Sequence, residues 1–276
     1  MLKIGEINHL QVVKGVEFGL YVDGGEHGEI LLPSRYAPGD CKPGDWLDLF
    51  IYRDSDDRLI ATTETPLAMV GECAYLQVAA VNKFGAFLDW GLPKQLLVPF
   101  NEQKLPMQAG RSYVVCIFLD DATQRIAASS KLRDHLSEQG FYLQPQQPVE
   151  LLIASRTQLG YQAVVNDTHL GLLYDSEIFQ PLRVGQKIPG FIKNIRGDRK
   201  IDLCLQLDDQ QSREALAGRI IDYLKAHGGV STLTDSSPPD DIYRTFGVSK
   251  KQYKKALGGL YKSKLITIDK QRVTLL

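Results

Sequence analysis

One segment of this chain is written three times. In each copy an apolar run reaches a dipeptide ending in glycine and continues as a second short strand. An apolar patch, a Pro/Gly-marked loop and two more strand-like stretches follow. The copies pivot on Phe18-Gly19, Phe84-Gly85 and Leu159-Gly160, spaced by 66 and 75 residues. A period that long is a repeated small domain, because solenoid units recur every ~20–50 residues. The 276 residues leave room for three such domains and one more.

The second copy has the clearest pattern. Cys73–Val81, Gly85–Trp90, Gln95–Phe100, Ser112–Leu119 and Arg125–Ser130 read as five strands, with Asn101–Arg111, broken by Pro106 and Gly110, as a long connection. Five short strands with one long interruption fit the OB-fold, a partly open five-stranded barrel. Gly85 is expected to allow a bend or bulge at the barrel corner. The first copy yields Gly15–Phe18, Gly19–Asp23, Glu29–Leu32, Trp46–Tyr52 and Arg58–Thr63. The third yields Val149–Ser155, Gly160–Val165, Gly171–Tyr174, Lys187–Ile195 and Lys200–Leu205. Ser130–Gly140 reads as a short helix ending at glycine, and Gln144–Pro148 as a linker.

Residues 211–276 change character. Ser212–His227 carries a helical stripe of Leu216, Ile220 and Leu224, closed by Gly228-Gly229. Ser237-Pro238 reads as an N-cap with proline in the first helical position, opening a helix to Phe246. Ser249 and Gln252 form a capping-box pattern ahead of a helix from Lys250 to about Lys262. Leu265–Ile268 and Arg272–Leu276 then read as a hairpin. Three helices followed by a hairpin is the winged-helix plan. The expected fold is therefore mainly β with an α-rich C-terminal domain: OB-fold barrels at 1–66, 67–143 and 144–209, and a winged helix at 210–276.

Net charge is −1, but it is unevenly spread. Residues 1–70 carry 6 basic and 12 acidic side chains, whereas residues 211–276 carry 12 basic and 6 acidic. Such asymmetry points to a nucleic-acid-facing end. Lys250, Lys251, Lys254 and Lys255 crowd the start of a helix, where positive charge opposes the helix dipole. An external anion would offset that cost, and in a helix-turn-helix this end of the second helix enters the major groove. Lys270 and Arg272 on the wing would add phosphate contacts. An ordinary solvated lysine face is the competing reading.

The second copy, VNKFGAFLDW followed by LLVPF and RIAASSK, resembles the S-1 type RNA-binding domain. The third copy, GLLYDSEIFQPLRVGQKIPGFIKNIR then KIDLCLQ, is similar to it too, and the first copy, with DSDDRLIATTETP, lies further off. Three such barrels followed by a basic helical tail resemble the bacterial conserved virulence factor B family over essentially the whole length. The resemblance implies a face of two aromatics, a histidine and a basic residue. These positions hold Phe84, Phe87, Pro99 and Arg125 in the second copy, and Phe18, Tyr21, Pro33 and Arg58 in the first. In the third they hold Leu159, Gln162, Tyr174 and Lys200. The histidine is absent throughout, and the third copy lacks both aromatics of the first two strands. The resemblance also implies a post-transcriptional role in gene expression, touching virulence or stress traits where the host is a pathogen.

Independently of any family, exposed rings offer platforms for unpaired bases, and a neighbouring Lys83 or Arg125 would meet phosphate. Phe84 and Phe87 stay open to a second reading as core residues. The acidic first barrel suggests a protein partner instead. Single-stranded RNA is the expected ligand. A DNA-binding regulator led by the winged helix, and a protein–protein adaptor on the ribosome or on RNA-decay machinery, are the alternatives.

No catalytic constellation appears. The five histidines lack metal-ligand spacing, and there is no GxxxxGK[ST] or GxSxG motif. The pairs Asp56-Asp57, Asp120-Asp121 and Asp208-Asp209 read as solvated turn formers. No enzyme activity, metal or cofactor is expected. Cys41, Cys73, Cys116 and Cys204 are widely spaced and read as reduced core residues, pointing to the cytoplasm. No apolar run is long enough for a membrane helix.

Overall fold

Apolar residues alternating with polar ones give each strand an inward and an outward face. In the computed structural model, which describes residues 1–276, all three repeats are five-stranded closed barrels. The first comprises β1 (Ile7–Val16), β2 (Gly19–Asp23), β3 (Glu29–Pro33), β4 (Trp46–Arg53) and β5 (Leu59–Thr62). The second comprises β6 (Cys73–Asn82), β7 (Gly85–Asp89), β8 (Leu96–Pro99), β9 (Ser112–Leu119) and β10 (Ile126–Ser129). The third comprises β11 (Pro148–Arg156), β12 (Gly160–Val165), β13 (His169–Tyr174), β14 (Lys187–Ile195) and β15 (Ile201–Cys204). Around each barrel the order is first, second, third, fifth, fourth strand. The third and fifth strands pair in parallel and close the ring, as at Leu31↔Ile60, Leu97↔Ala127 and Gly171↔Ile201. This is the OB-fold.

The pivot glycines have a steric reason other than the one expected. Gly19, Gly85 and Gly160 have φ of 156°, 150° and 150°. A Cβ there would stand 2.2, 2.2 and 2.0 Å from the carbonyl oxygens of Leu32, Val98 and Leu173. Glycine is needed because the third strand runs against it. The bulges lie earlier, in the first strand of each barrel, between Val12 and Lys14, Val78 and Ala80, and Ile153 and Ser155.

Four further expectations are corrected. Strand one of the first barrel spans Ile7–Val16 rather than Gly15–Phe18. Its inward Val12 packs in the core while polar neighbours such as Gln11 point out. The helix expected over Ser130–Gly140 is a single turn, α1 (Leu132–His135), because Leu136 is extended and buried. Cys73 and Cys116 are not free thiols but form a disulfide. They face each other on β6 and β9 beside the Ile117 N–H to Glu72 carbonyl bond, a non-hydrogen-bonded pair position where opposite side chains come closest. Cys41 and Cys204 are free. Finally, Ser237 is not a helix cap: its hydroxyl accepts from the Thr234 N–H (2.8 Å).

The chain divides into two compact units, Met1–Ser137 with Asn166–Leu170, and Glu138–Val165 with Gly171–Leu276. Within the first unit, Phe50 and Tyr52 of barrel one share the core of barrel two, with Phe50 edge-on to Trp90 at 5.8 Å. Lys94 Nζ donates to the carbonyls of Arg53 (2.8 Å) and Asp54 (2.7 Å) across the same junction. In the second unit the third barrel leads into α2 (Gln210–Ala226), β16 (Val230–Ser231), α3 (Pro239–Phe246), α4 (Lys250–Lys262), β17 (Ile266–Ile268) and β18 (Val273–Leu275). The short β16 joins the hairpin to give a sheet ordered β16-β18-β17. Asp209 caps α2 by accepting from the Ser212 N–H (2.7 Å). Pro238 is the N-cap of α3, with proline at its first position. Ser249 caps α4 as expected, but the box is half formed. The Gln252 amide turns away and donates to the Leu207 carbonyl (2.8 Å).

Candidate nucleic-acid interface

Strand alternation decides where the rings point. On β7 Ala86 and Leu88 are fully buried, so Phe87 between them faces outward and is half-buried. Phe84 sits in the turn before β7 and is 61% exposed. Its N–H donates to Asn82 Oδ1 (2.8 Å), which fixes the turn, and Lys83 Nζ lies 5.1 Å from its ring centroid. Neither ring belongs to the barrel-two core, which is built from residues such as Leu76, Leu88 and Val98. The core reading of this pair is thereby removed. Barrel one repeats the arrangement. Phe18 is 57% exposed and packs edge-on to the half-buried Tyr21 at 6.4 Å, with Lys14 Nζ 4.9 Å from the Tyr21 ring. Lys14 is also paired with Glu29.

In barrel three the corresponding Leu159 is exposed, Gln162 and Tyr174 are half-buried, and Arg156 grips Asp175 at 2.5 Å. Arg156 also lies 4.8 Å from the ring of Tyr161, which packs against the barrel-three core, and Gln162 holds the strand position of Phe87 and Tyr21.

The basic residues entering the fifth strands are not equivalent. Arg58 is bound by Asp54 (3.1 Å) and Asp56 (2.7 Å) on its own turn. Arg125 Nε donates to Asp57 Oδ1 of barrel one (3.0 Å). That bond holds the Asp57 carboxyl below its ordinary range and raises Arg125. Burial at the same junction pulls Lys94 down. Lys200 alone among the three has a side chain with no acidic partner. Arg125 thus ties two barrels together and is not a free cation.

The winged-helix cations divide in the same way. Lys250 Nζ donates to the Ser236 carbonyl (3.2 Å), Lys254 lies 3.7 Å from Asp235, and Lys255 pairs with Asp208. Arg272 pairs with Asp269 (3.1 Å). Lys251 and Lys270 are exposed without an ion-pair partner. Surface pairs of this kind contribute ~0–1 kcal/mol, so a phosphate can displace the carboxylates.

One feature of barrel one was not legible. A cleft of about 640 Å³ is lined by residues including His9, Asp23, Glu26, His27 and Trp46. Trp46 stacks on His9 at 5.1 Å, and His9 Nδ1 is 2.7 Å from Asp48. In sequence Trp46 reads only as the start of a strand; β1 and β4 bring it to His9 through antiparallel pairing.

Tandem OB barrels, two of them with rings at the turn into the second strand and on that strand, followed by a basic winged helix, define a protein assembled from domains of nucleic-acid-binding type. Residues 4–64 match the S1 domain family, and residues 218–275 match the CvfB-like winged helix domain. The S1 match falls on the first copy, the one sequence reading placed furthest from that family. Over nearly its whole length the chain is similar to proteins named Conserved virulence factor B. Relatives named Conserved virulence factor B from Staphylococcus epidermidis (strain ATCC 12228 / FDA PCI 1200) and Staphylococcus aureus (strain N315) are 26% identical to it over 99% of this chain and 94% of theirs. The protein YitL of Bacillus subtilis (strain 168) is 28% identical over 95% of this chain and 90% of its own. A crystal structure of a multidomain protein with nucleic acid binding domains from Streptococcus pneumoniae covers 99% of this chain and 98% of that one, at 26% identity and a TM-score of 0.42. No helix is long and apolar enough to cross a membrane.

Proposed function

We propose that this protein binds single-stranded RNA by recognition alone, without chemistry of its own, and acts after transcription. The observation that carries this reading is the outward pair Phe84 and Phe87, beside Lys83 and outside the core of barrel two. Rings held on a strand and on the fixed turn that enters it lose little freedom when a base stacks on them, and each stacked base contributes ~1–3 kcal/mol. Phe18 and Tyr21 form a second, weaker platform, because residues 1–66 carry 6 basic and 12 acidic side chains that repel phosphate. Lys251 and Lys270 supply sequence-independent grip from the winged helix, with Lys254 and Lys255 exchanging their carboxylates for phosphate. The domain types matched are not catalytic ones.

A second reading has its own observation. Barrel one, with 6 basic and 12 acidic side chains over residues 1–66, carries a cleft in which Trp46 stacks on His9, and this acidic domain suits a cationic segment of a protein partner. Binding of labelled single-stranded RNA, single-stranded DNA and duplex DNA at two salt concentrations tests the leading reading. Preference for single-stranded RNA is the expected result; preference for the duplex would transfer the function to the winged helix and DNA.

A further inference from the structure

We infer that barrel three carries a base-stacking site away from its strand face, on the turn Gly140–Leu143. This rests on the single-stranded RNA reading and adds to it a second contact point.

The turn is closed by the Leu143 N–H donating to the Gly140 carbonyl (3.4 Å), so Phe141 and Tyr142 occupy its two tip positions. Turn tips favour glycine, asparagine and aspartate; two consecutive aromatics there have no local conformational reason. Neither ring is used by the fold. Phe141 is 55% exposed and Tyr142 is 93% exposed. The residues on either side are anchored. Leu143 packs on the barrel-three core, and the Gly140 N–H donates to the Arg199 carbonyl (3.0 Å). A Cβ on Gly140 would come within 2.9 Å of Ile195 and 3.1 Å of Ile201, so this residue lies flat against the barrel. The two rings are therefore held out from a fixed base.

The turn that backs them is basic. Arg199 lies 4.9 Å from the Phe141 ring centroid, and Lys200 next to it has no acidic partner. Both sit on the connection between β14 and β15. The equivalent connections in the other barrels are committed to the junction between those barrels, through Asp57 with Arg125 and through the Gln124 carbonyl with Arg53 Nε (3.2 Å). The left-handed position of the turn, Asp57 (φ 66°), Gln124 (φ 53°) or Arg199 (φ 67°), is shared by all three. Only in barrel three does it hold a cation, and only there is an aromatic laid on that cation. Two open rings with two cations beside them match a base-and-phosphate repeat. A purely apolar partner would leave Arg199 and Lys200 without a counter-charge. Barrel three has lost the strand-face rings, and this turn supplies rings elsewhere on the same domain.

The test uses the full chain and a single-stranded RNA of about 20 nucleotides carrying 4-thiouridine, with crosslinked peptides mapped by mass spectrometry. Crosslinks are expected on the peptide containing Phe141 and Tyr142 as well as on the one containing Phe84 and Phe87. Phe141→Ala with Tyr142→Ala is expected to weaken RNA binding roughly tenfold or more, while Tyr142→Phe binds as the parent does. Arg199→Glu with Lys200→Glu gives the same loss by an independent route should the aromatic variant fold poorly. Crosslinks confined to Phe84 and Phe87, with unchanged affinity in both double variants, would overturn the site and leave the RNA-binding function standing; the exposed rings would then belong to a protein contact. Absence of crosslinks at either place would remove both.

Discussion

A ring that stacks on a base and a ring that fills a core can differ by one position along a strand. Ala86 and Leu88 are fully buried, and Phe87 between them is not. Substituting Phe87 therefore removes a contact surface and leaves the interior of barrel two intact. Gly85 is the opposite case. Gly85→Ala would place a methyl group 2.2 Å from the Val98 carbonyl oxygen at a φ of 150°. It is expected to destabilise barrel two by roughly 1–3 kcal/mol or more, read as a lower urea midpoint; an unchanged midpoint would mean that β8 moves aside freely. Asp57 supports a pH prediction. Its hydrogen bond from Arg125 holds its folded pKa below the ordinary value. The stabilisation is thus present above the ordinary carboxylate pKa and is lost as pH falls through the folded one. Asp57→Asn should lower the melting temperature of the full chain at neutral pH, and the gap from the parent should close in strong acid. A gap that persists there would assign the effect to something other than the carboxylate charge.

At the scale of elements, the connection between fourth and fifth strands is one turn used in different ways. In barrels one and two it joins the barrels through Asp57 and Arg125, and in barrel three it backs an aromatic turn through Arg199. The pivots and most strands were legible in the sequence because glycine at a close backbone approach and alternation around a core leave local marks. Ser112–Leu119 and Lys187–Ile195 appear as read. β1 was read too short because its polar outward residues and the bulge between Val12 and Lys14 interrupt the alternation. The Cys73–Cys116 bond and the Arg125–Asp57 pair were not legible, since their partners stand 43 and 68 residues apart and meet only through register and packing. At α4 the Ser249 cap accepts from the Gln252 N–H (3.2 Å). Ser249→Ala is expected to lower winged-helix stability by ~1 kcal/mol, visible as earlier loss of helical circular dichroism on heating; coincident melts would show that the Gln252–Leu207 contact holds the helix start unaided.

At the scale of the whole molecule, charge and rings are divided among domains. The first barrel is acidic and carries a cleft, the second presents the exposed ring of Phe84 and the half-buried ring of Phe87, and the last domain carries the basic excess. Affinity should therefore have a salt-independent part from stacking and a salt-dependent part from lysines. Lys251→Ala with Lys270→Ala in the full chain is expected to reduce the slope of log affinity against log salt by about 1.4, two phosphate contacts at ~0.7 each on a single strand. An unchanged slope would mean that the winged helix does not touch phosphate. The central claim is that the rings of barrel two hold RNA. Equilibrium binding of labelled single-stranded RNA to the full chain, with and without Phe84→Ala and Phe87→Ala, measures it directly. The account predicts an affinity loss of roughly tenfold or more with an unaltered melting curve. Equal affinity in a double variant that melts like its parent would contradict it.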